Sequence, residues 1–197
     1  MGEFRRQKIW DPVTRLWHWA LVIAVCTGWY LGKWMSFGTI EWHFYCGYVV
    51  LGLVAFRLIW GGVGPAPVKL RALVPTPSQL INHIRQVGHR EPSGTPGHNP
   101  LGSLSVIGIL MLLLAQGGTG LFISSDDYFE TAPLAHMVSD DIRDALVWWH
   151  KTLSKFVLAM VTLHISAILF YLFWKKENLV SAMISGWKMV KVEGDDA

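Results

Sequence analysis

Residues 145–174 read ALVWWHKTLSKFVLAMVTLHISAILFYLFW. As a helix this stretch is long and apolar enough to cross a bilayer, which takes about 20 residues. Two histidines interrupt it, His150 and His164. Their spacing is just short of four helical turns, so both rings leave one face, about 21 Å apart along the axis. Three further apolar stretches, residues 16–34, 40–63 and 101–124, are also long enough to span. The first carries His18 and the second His43. Threading the chain back and forth brings His43 to the depth of His150, and His18 to the side of His164. The fourth helix must run past the membrane surface or tilt for the second pair to meet. The expected fold is all-α: a transmembrane four-helix bundle with short interfacial helices, one membrane domain over residues 1–197.

Composition agrees. Of 197 residues, 52% are hydrophobic and 16% charged, and mean hydropathy is +0.34. Soluble domains carry roughly a quarter charged residues. The eleven tryptophans cluster at the ends of the apolar runs, where indoles favour the headgroup region. Cys26 and Cys46 stand alone in apolar segments, so neither a disulfide framework nor covalent haem attachment is indicated. A net charge of +3 in so apolar a chain does not point to nucleic acid.

The distribution of Lys and Arg sets orientation. Arg5, Arg6, Lys8 and Arg15 precede the first span. Lys69, Arg71, Arg85 and Arg90 lie between the second and third, and Lys175, Lys176, Lys188 and Lys191 follow the fourth. The opposite loops hold only Lys33 and Arg143. Both termini are therefore expected to be cytoplasmic, in a multi-pass protein of a bacterial inner membrane. The outward loop, residues 125–144, holds Asp126, Asp127, Glu130, Asp140, Asp141 and Asp144, an acidic patch facing the periplasm. Residues 78–87, with Leu80, Ile81, Ile84 and Val87 at helical spacing, read as a short amphipathic helix on the lipid surface. Residues 178–192 read the same way. His83, His89 and His136 read as surface residues.

Ionisable groups inside a span are costly and point to function. The number at each level selects the chemistry. Structural zinc takes four protein ligands and catalytic zinc three, whereas each level here offers two imidazoles. Two trans ligands are what an iron already held in a porphyrin needs. The axial candidates are thus His18 with His164 and His43 with His150, one haem b per pair. Arg57 lies fourteen residues after His43, on the same face, where its guanidinium can meet haem propionates or reach the headgroups. Zinc at the outer level, joined by His136, Glu41 and Asp140, is the metal alternative. Gln116, in mid-span, reads as a partner for a neighbouring helix.

The residues Trp10-Asp11-Pro12-Val13-Thr14-Arg15-Leu16-Trp17-His18-Trp19 resemble the opening signature of bacterial di-haem b-type cytochromes. That group includes bacterial cytochrome b561 and the cytochrome b subunits of nickel-iron hydrogenases. Arg57-Leu58-Ile59-Trp60-Gly61 resembles its second-helix ending. Gly97-His98-Asn99-Pro100-Leu101-Gly102, with Gln116 and Thr119-Gly120-Leu121, resembles its third helix and the loop before it. The resemblance runs from about Lys8 to Trp174 and implies the same two axial pairs. It also implies electron exchange between a membrane quinone, a candidate bound cofactor, and a periplasmic redox partner, a hydrogenase or a c-type cytochrome. A second copy of the chain is a further candidate partner beside membrane lipid. The competing functions are a stand-alone quinol oxidase reacting with superoxide or oxygen, a membrane anchor with structural haems, and a non-redox metal or proton transporter using its intramembrane histidines.

Overall fold

The computed structural model describes residues 4–125 and 130–191. It is mostly helical. Four long helices, α1 (Pro12–Lys33), α2 (Ile40–Val63), α4 (Pro100–Gly120) and α5 (Asp140–Phe173), account for most of it. The shorter α3 (Pro77–Gln86) and α6 (Leu179–Ser185) lie between α2 and α4 and after α5. Three helices, α2, α4 and α5, are long and apolar enough to cross a membrane. Little of their most apolar windows is buried, from 22% in α2 down to 11% in α5. Val63, Met111, Leu163 and Phe173 are all well exposed. Apolar faces turned outward on this scale mark a lipid-facing protein.

The chain divides into two compact units. One comprises residues 1–16, 58–107 and 161–197; the other comprises residues 17–57 and 108–160. Each long helix therefore contributes one end to each unit.

The first unit begins with a cap. Asp11 accepts from the Thr14 amide (3.0 Å) and the Thr14 hydroxyl (2.5 Å), and Pro12 follows at the first helical position. This is why α1 starts there. The Trp60 indole donates to the Thr14 hydroxyl (3.2 Å). Ile9, Trp10, Val68, Ala182 and Val190 form the unit's core. Thr76 and Gln79 form a reciprocal capping box at the start of α3, which begins one residue before the expected helix.

Two expectations need correction here. The fold is not purely helical: β1 (Phe4–Lys8) pairs antiparallel with β4 (Trp187–Lys191), Phe4 opposite Lys191 and Lys8 opposite Trp187. A second, two-residue ladder joins β2 (Ser124–Ser125) to β3 (Glu130–Thr131). Correspondingly, the tail is a helix only through Ser185. Gly186 adopts φ 86° and ends α6. A Cβ there would sit 2.6 Å from the Trp10 carbonyl, so only glycine fits both the turn and the approach. Beyond it exposed and buried residues alternate along β4, the period of a strand. Lys188 and Val190 face inward.

In the second unit the loop before α5 is shorter than expected, because α5 starts at Asp140 rather than near residue 145. Asp140 and Asp141 occupy its first turn, where carboxylates favour the helix N-terminus, and Asp140 pairs with Arg143 at 2.8 Å. Asp126 and Asp127 lie outside the described residues.

Candidate haem site

The second unit brings His43 and His150 together. Their ring centroids are 6.1 Å apart, with planes at 82°. Each ring is held at Nδ1 by a backbone carbonyl: His43 by Gly28 (2.9 Å) and His150 by Gln116 (3.0 Å). A proton on Nδ1 of each makes those contacts hydrogen bonds and leaves Nε2 basic, the arrangement by which ligating histidines are oriented for a metal. Thr119 Oγ1 lies 3.2 Å from His150 Nδ1, and the Gln116 side-chain amide lies 3.0 Å from Nε2. Gln116 and a metal are thus alternative partners for the same lone pair.

The neighbouring backbone is bare where these rings lie. A Cβ on Gly32 would come within 2.8 Å of His43 Cε1, and one on Gly120 within 3.1 Å of His150 Cε1. Both glycines keep side chains out of the imidazoles' space. The donor set fits a b-type haem. His43 and His150 would hold the iron of such a haem through Nε2, which the carbonyl contacts at Nδ1 leave basic. Among the described residues no three His, Cys, Asp or Glu side chains gather as a metal site. Zinc at His136, Glu41 and Asp140 therefore has no ligand set here.

Arg57 belongs to the same unit. It is 3% exposed, with its guanidinium carbon 5.7 Å from the centre of the Trp17 ring. Trp17 in turn donates its indole N–H to the Leu53 carbonyl (2.7 Å). The guanidinium is buried rather than extended toward headgroups. His18 lies half-buried in this unit, edge-on to Trp19 at 5.2 Å. His164 is half-buried in the other unit, on the C-terminal part of α5.

The model of prokaryotic cytochrome b561 matches residues 9–186. The chain belongs to the prokaryotic cytochrome b561 family. A probable Ni/Fe-hydrogenase B-type cytochrome subunit of Azotobacter vinelandii is 25% identical over 221 residues, covering 95% of this chain and 90% of that protein. A probable Ni/Fe-hydrogenase 1 B-type cytochrome subunit of Escherichia coli (strain K12) is 24% identical over 217 residues, covering 93% and 91%. The family resemblance expected from the Trp10–Trp19 signature is thus established. As a cytochrome b561 family member the chain is a membrane b-type cytochrome of electron transfer, with haem b as its cofactor.

Several participants escaped the sequence reading. Gly28 and Gly32 carry no sequence signal of a site, yet one supplies a carbonyl to His43 and the other clears its ring. Gln116 does bond a neighbouring helix, as expected, but its partner is His150 itself. Thr119 and Gly120 were quoted only as a motif. In the first unit His83, expected at the surface, is half-buried. It sits on α3 with Nε2 3.1 Å from the Tyr171 hydroxyl; no spacing rule links residues so far apart in sequence.

Proposed function

We propose that this cytochrome carries electrons across a bacterial inner membrane through two bis-histidine haems, between a quinone and a periplasmic redox protein. His43 and His150 hold the outer haem, and His18 and His164 the inner one. The observation that carries the reading is the pairing of His43 with His150, each turned by a carbonyl at Nδ1. The His18–His164 pair rests on the sequence topology. Haem supplies one-electron redox chemistry when bound; the protein's side chains set its position and surroundings. Two axial imidazoles leave no open iron position, which disfavours oxygen chemistry at the metal. Arg57 is a buried cation in the same unit as the outer pair, and its guanidinium is the group that would meet a haem propionate.

Four crossings with both termini on the cytoplasmic side are supported by the terminal ladder. β1 and β4 are hydrogen-bonded neighbours, which supports an even number of crossings. Three helices qualify by hydropathy, and α1 is the fourth. The 34-residue α5 is about 51 Å long, well beyond a hydrocarbon core of about 30 Å. Its charged residues, Asp140 through Lys155, all lie in the half that bears His150. This supports a position for His150 toward the outer surface, within reach of a docked protein.

The relatives are named as hydrogenase subunits, and a hydrogenase is the partner we assign, docking near Asp140 and Asp141. The decisive experiment is haem stoichiometry of the purified protein, with reduction by quinol in isolated membranes. Two haems b per chain, both quinol-reducible, are expected. One haem, or two that quinol cannot reduce, would overturn the reading. Steady quinol turnover by the isolated chain with oxygen or superoxide would favour a stand-alone oxidase.

A further inference from the structure

Helix α3 has two opposite faces. Gln79, Asn82, His83 and Gln86 recur at helical spacing and line a half-open cavity of about 870 Å³ in the first unit. Ile81 and Ile84, on the other side, are 49% and 52% exposed, and Val74 just before the helix is also exposed. An apolar face left open on a surface helix seats it in the boundary between headgroups and acyl chains. The cavity mouth then lies at the depth of lipid phosphates.

The cavity wall is cationic. Arg71, Lys175 and Lys191 line it, against the single carboxylate of Glu91. Lys175 is 3% exposed. Its ammonium donates to the carbonyls of Gln86 (3.3 Å), His89 (3.0 Å) and Glu91 (3.3 Å). Among the described residues no carboxylate lies within ion-pair distance of it. Three neutral acceptors satisfy its hydrogens but leave its charge uncompensated, which favours an anion nearby. Burial first, and then the Lys175 charge, hold the His83 imidazole below its ordinary range against the opposing charge of Glu177, so Lys175 is felt at the cavity lining. Arg71 and Lys191 are exposed and free to close on a ligand.

We propose that this cavity binds the phosphate headgroup of an anionic phospholipid, with Lys175 as the fixed charge and Arg71 and Lys191 as the mobile contacts. The test is native mass spectrometry of the full-length protein in neutral detergent, titrated separately with phosphatidylglycerol, phosphatidylcholine and inorganic phosphate. Haem absorbance verifies the fold of each variant first. Phosphatidylglycerol should bind at least about tenfold tighter than phosphatidylcholine. Arg71→Gln with Lys191→Gln should weaken it about thirtyfold, since each cation at a lipid surface contributes on the order of a fivefold factor. Lys69→Gln with Lys176→Gln removes the same charge from the same unit, off the lining, and should change binding by less than about threefold. Equal binding of the two lipids, or equal losses in both double variants, would reduce the site to diffuse surface attraction and overturn the proposal. Displacement of phosphatidylglycerol by millimolar inorganic phosphate would overturn the lipid assignment in favour of a soluble anion.

Discussion

The two units use buried polar groups in opposite ways. In the second, His43 and His150 each spend one nitrogen on a carbonyl and turn the other toward a ligand, for which Gln116 stands in at His150. Around Glu177 in the first, polar groups satisfy one another. Glu177 and Lys188 pair at 3.0 Å with side chains 6% and 5% exposed. Lys188 also donates to the carbonyls of Thr95 and Gly97, and Glu177 accepts from the amide and hydroxyl of Ser93. Residues 93–97 are thereby fastened to the segment after α5. The contrast teaches that similar chemistry closes a structure where every partner is internal, and builds a site where one lone pair per ring is held back.

The largest effect that would break this contrast is loss of haem. His150→Ala and His43→Ala should each remove the same one of two haems, and His164→Ala the other, measured as haem per chain with low-temperature spectra of the remaining one. If His43→Ala and His150→Ala spare different haems, the proposed pairing is wrong.

Next comes the buried ion pair. Lys188→Ala strands a buried carboxylate and should cost about 3–5 kcal/mol, read as thermal stability in detergent with the haem spectrum as the folding signal. The same pair predicts a pH dependence. Burial pushes the Glu177 carboxyl up, but the Lys188 charge and the Ser93 hydrogen bonds outweigh it and hold it below its usual 4.5. A depressed carboxylate contributes fully above that value and loses its contribution as pH falls through the folded pKa. Wild type should therefore lose stability below about pH 4.5, and Glu177→Gln should flatten that limb. An unchanged limb would show that the pair does not carry it.

The smallest effect sharpens the comparison from the ligand side. Gly32→Ala places a methyl against the His43 ring and should cost about 1–3 kcal/mol through overpacking, shifting the absorption of the haem lost in His43→Ala and sparing the other. Gly120→Ala, with 0.3 Å more room at the ring (3.1 against 2.8 Å), should do less. An effect of Gly32→Ala on the other haem would detach His43 from the site assigned to it.

Much of this was legible before any coordinates. Long apolar runs announce spans because nothing else satisfies a backbone in lipid, and the His150–His164 interval is readable because helical periodicity is rigid. The Trp10–Trp19 signature carries its own mechanism: Asp11 caps, Pro12 opens the helix, and His18 follows two turns in. The terminal ladder was not legible, since short strands at opposite ends of a chain leave no local periodicity. Nor was the Glu177–Lys188 pair. Lys188 was counted with the basic residues that orient the chain, and only Gly186, by reversing the backbone, turns it inward. The start of α5 was placed late because acidic residues read as loop, although carboxylates are also what a helix N-terminus favours.

The hydrogen-bonded seam between Phe4–Lys8 and Trp187–Lys191 fixes an order of assembly. β1 leaves the ribosome before any of the four long helices, yet its mate β4 follows all of them. While those helices insert that edge waits unpaired, and the zipper closes only once α5 has been threaded.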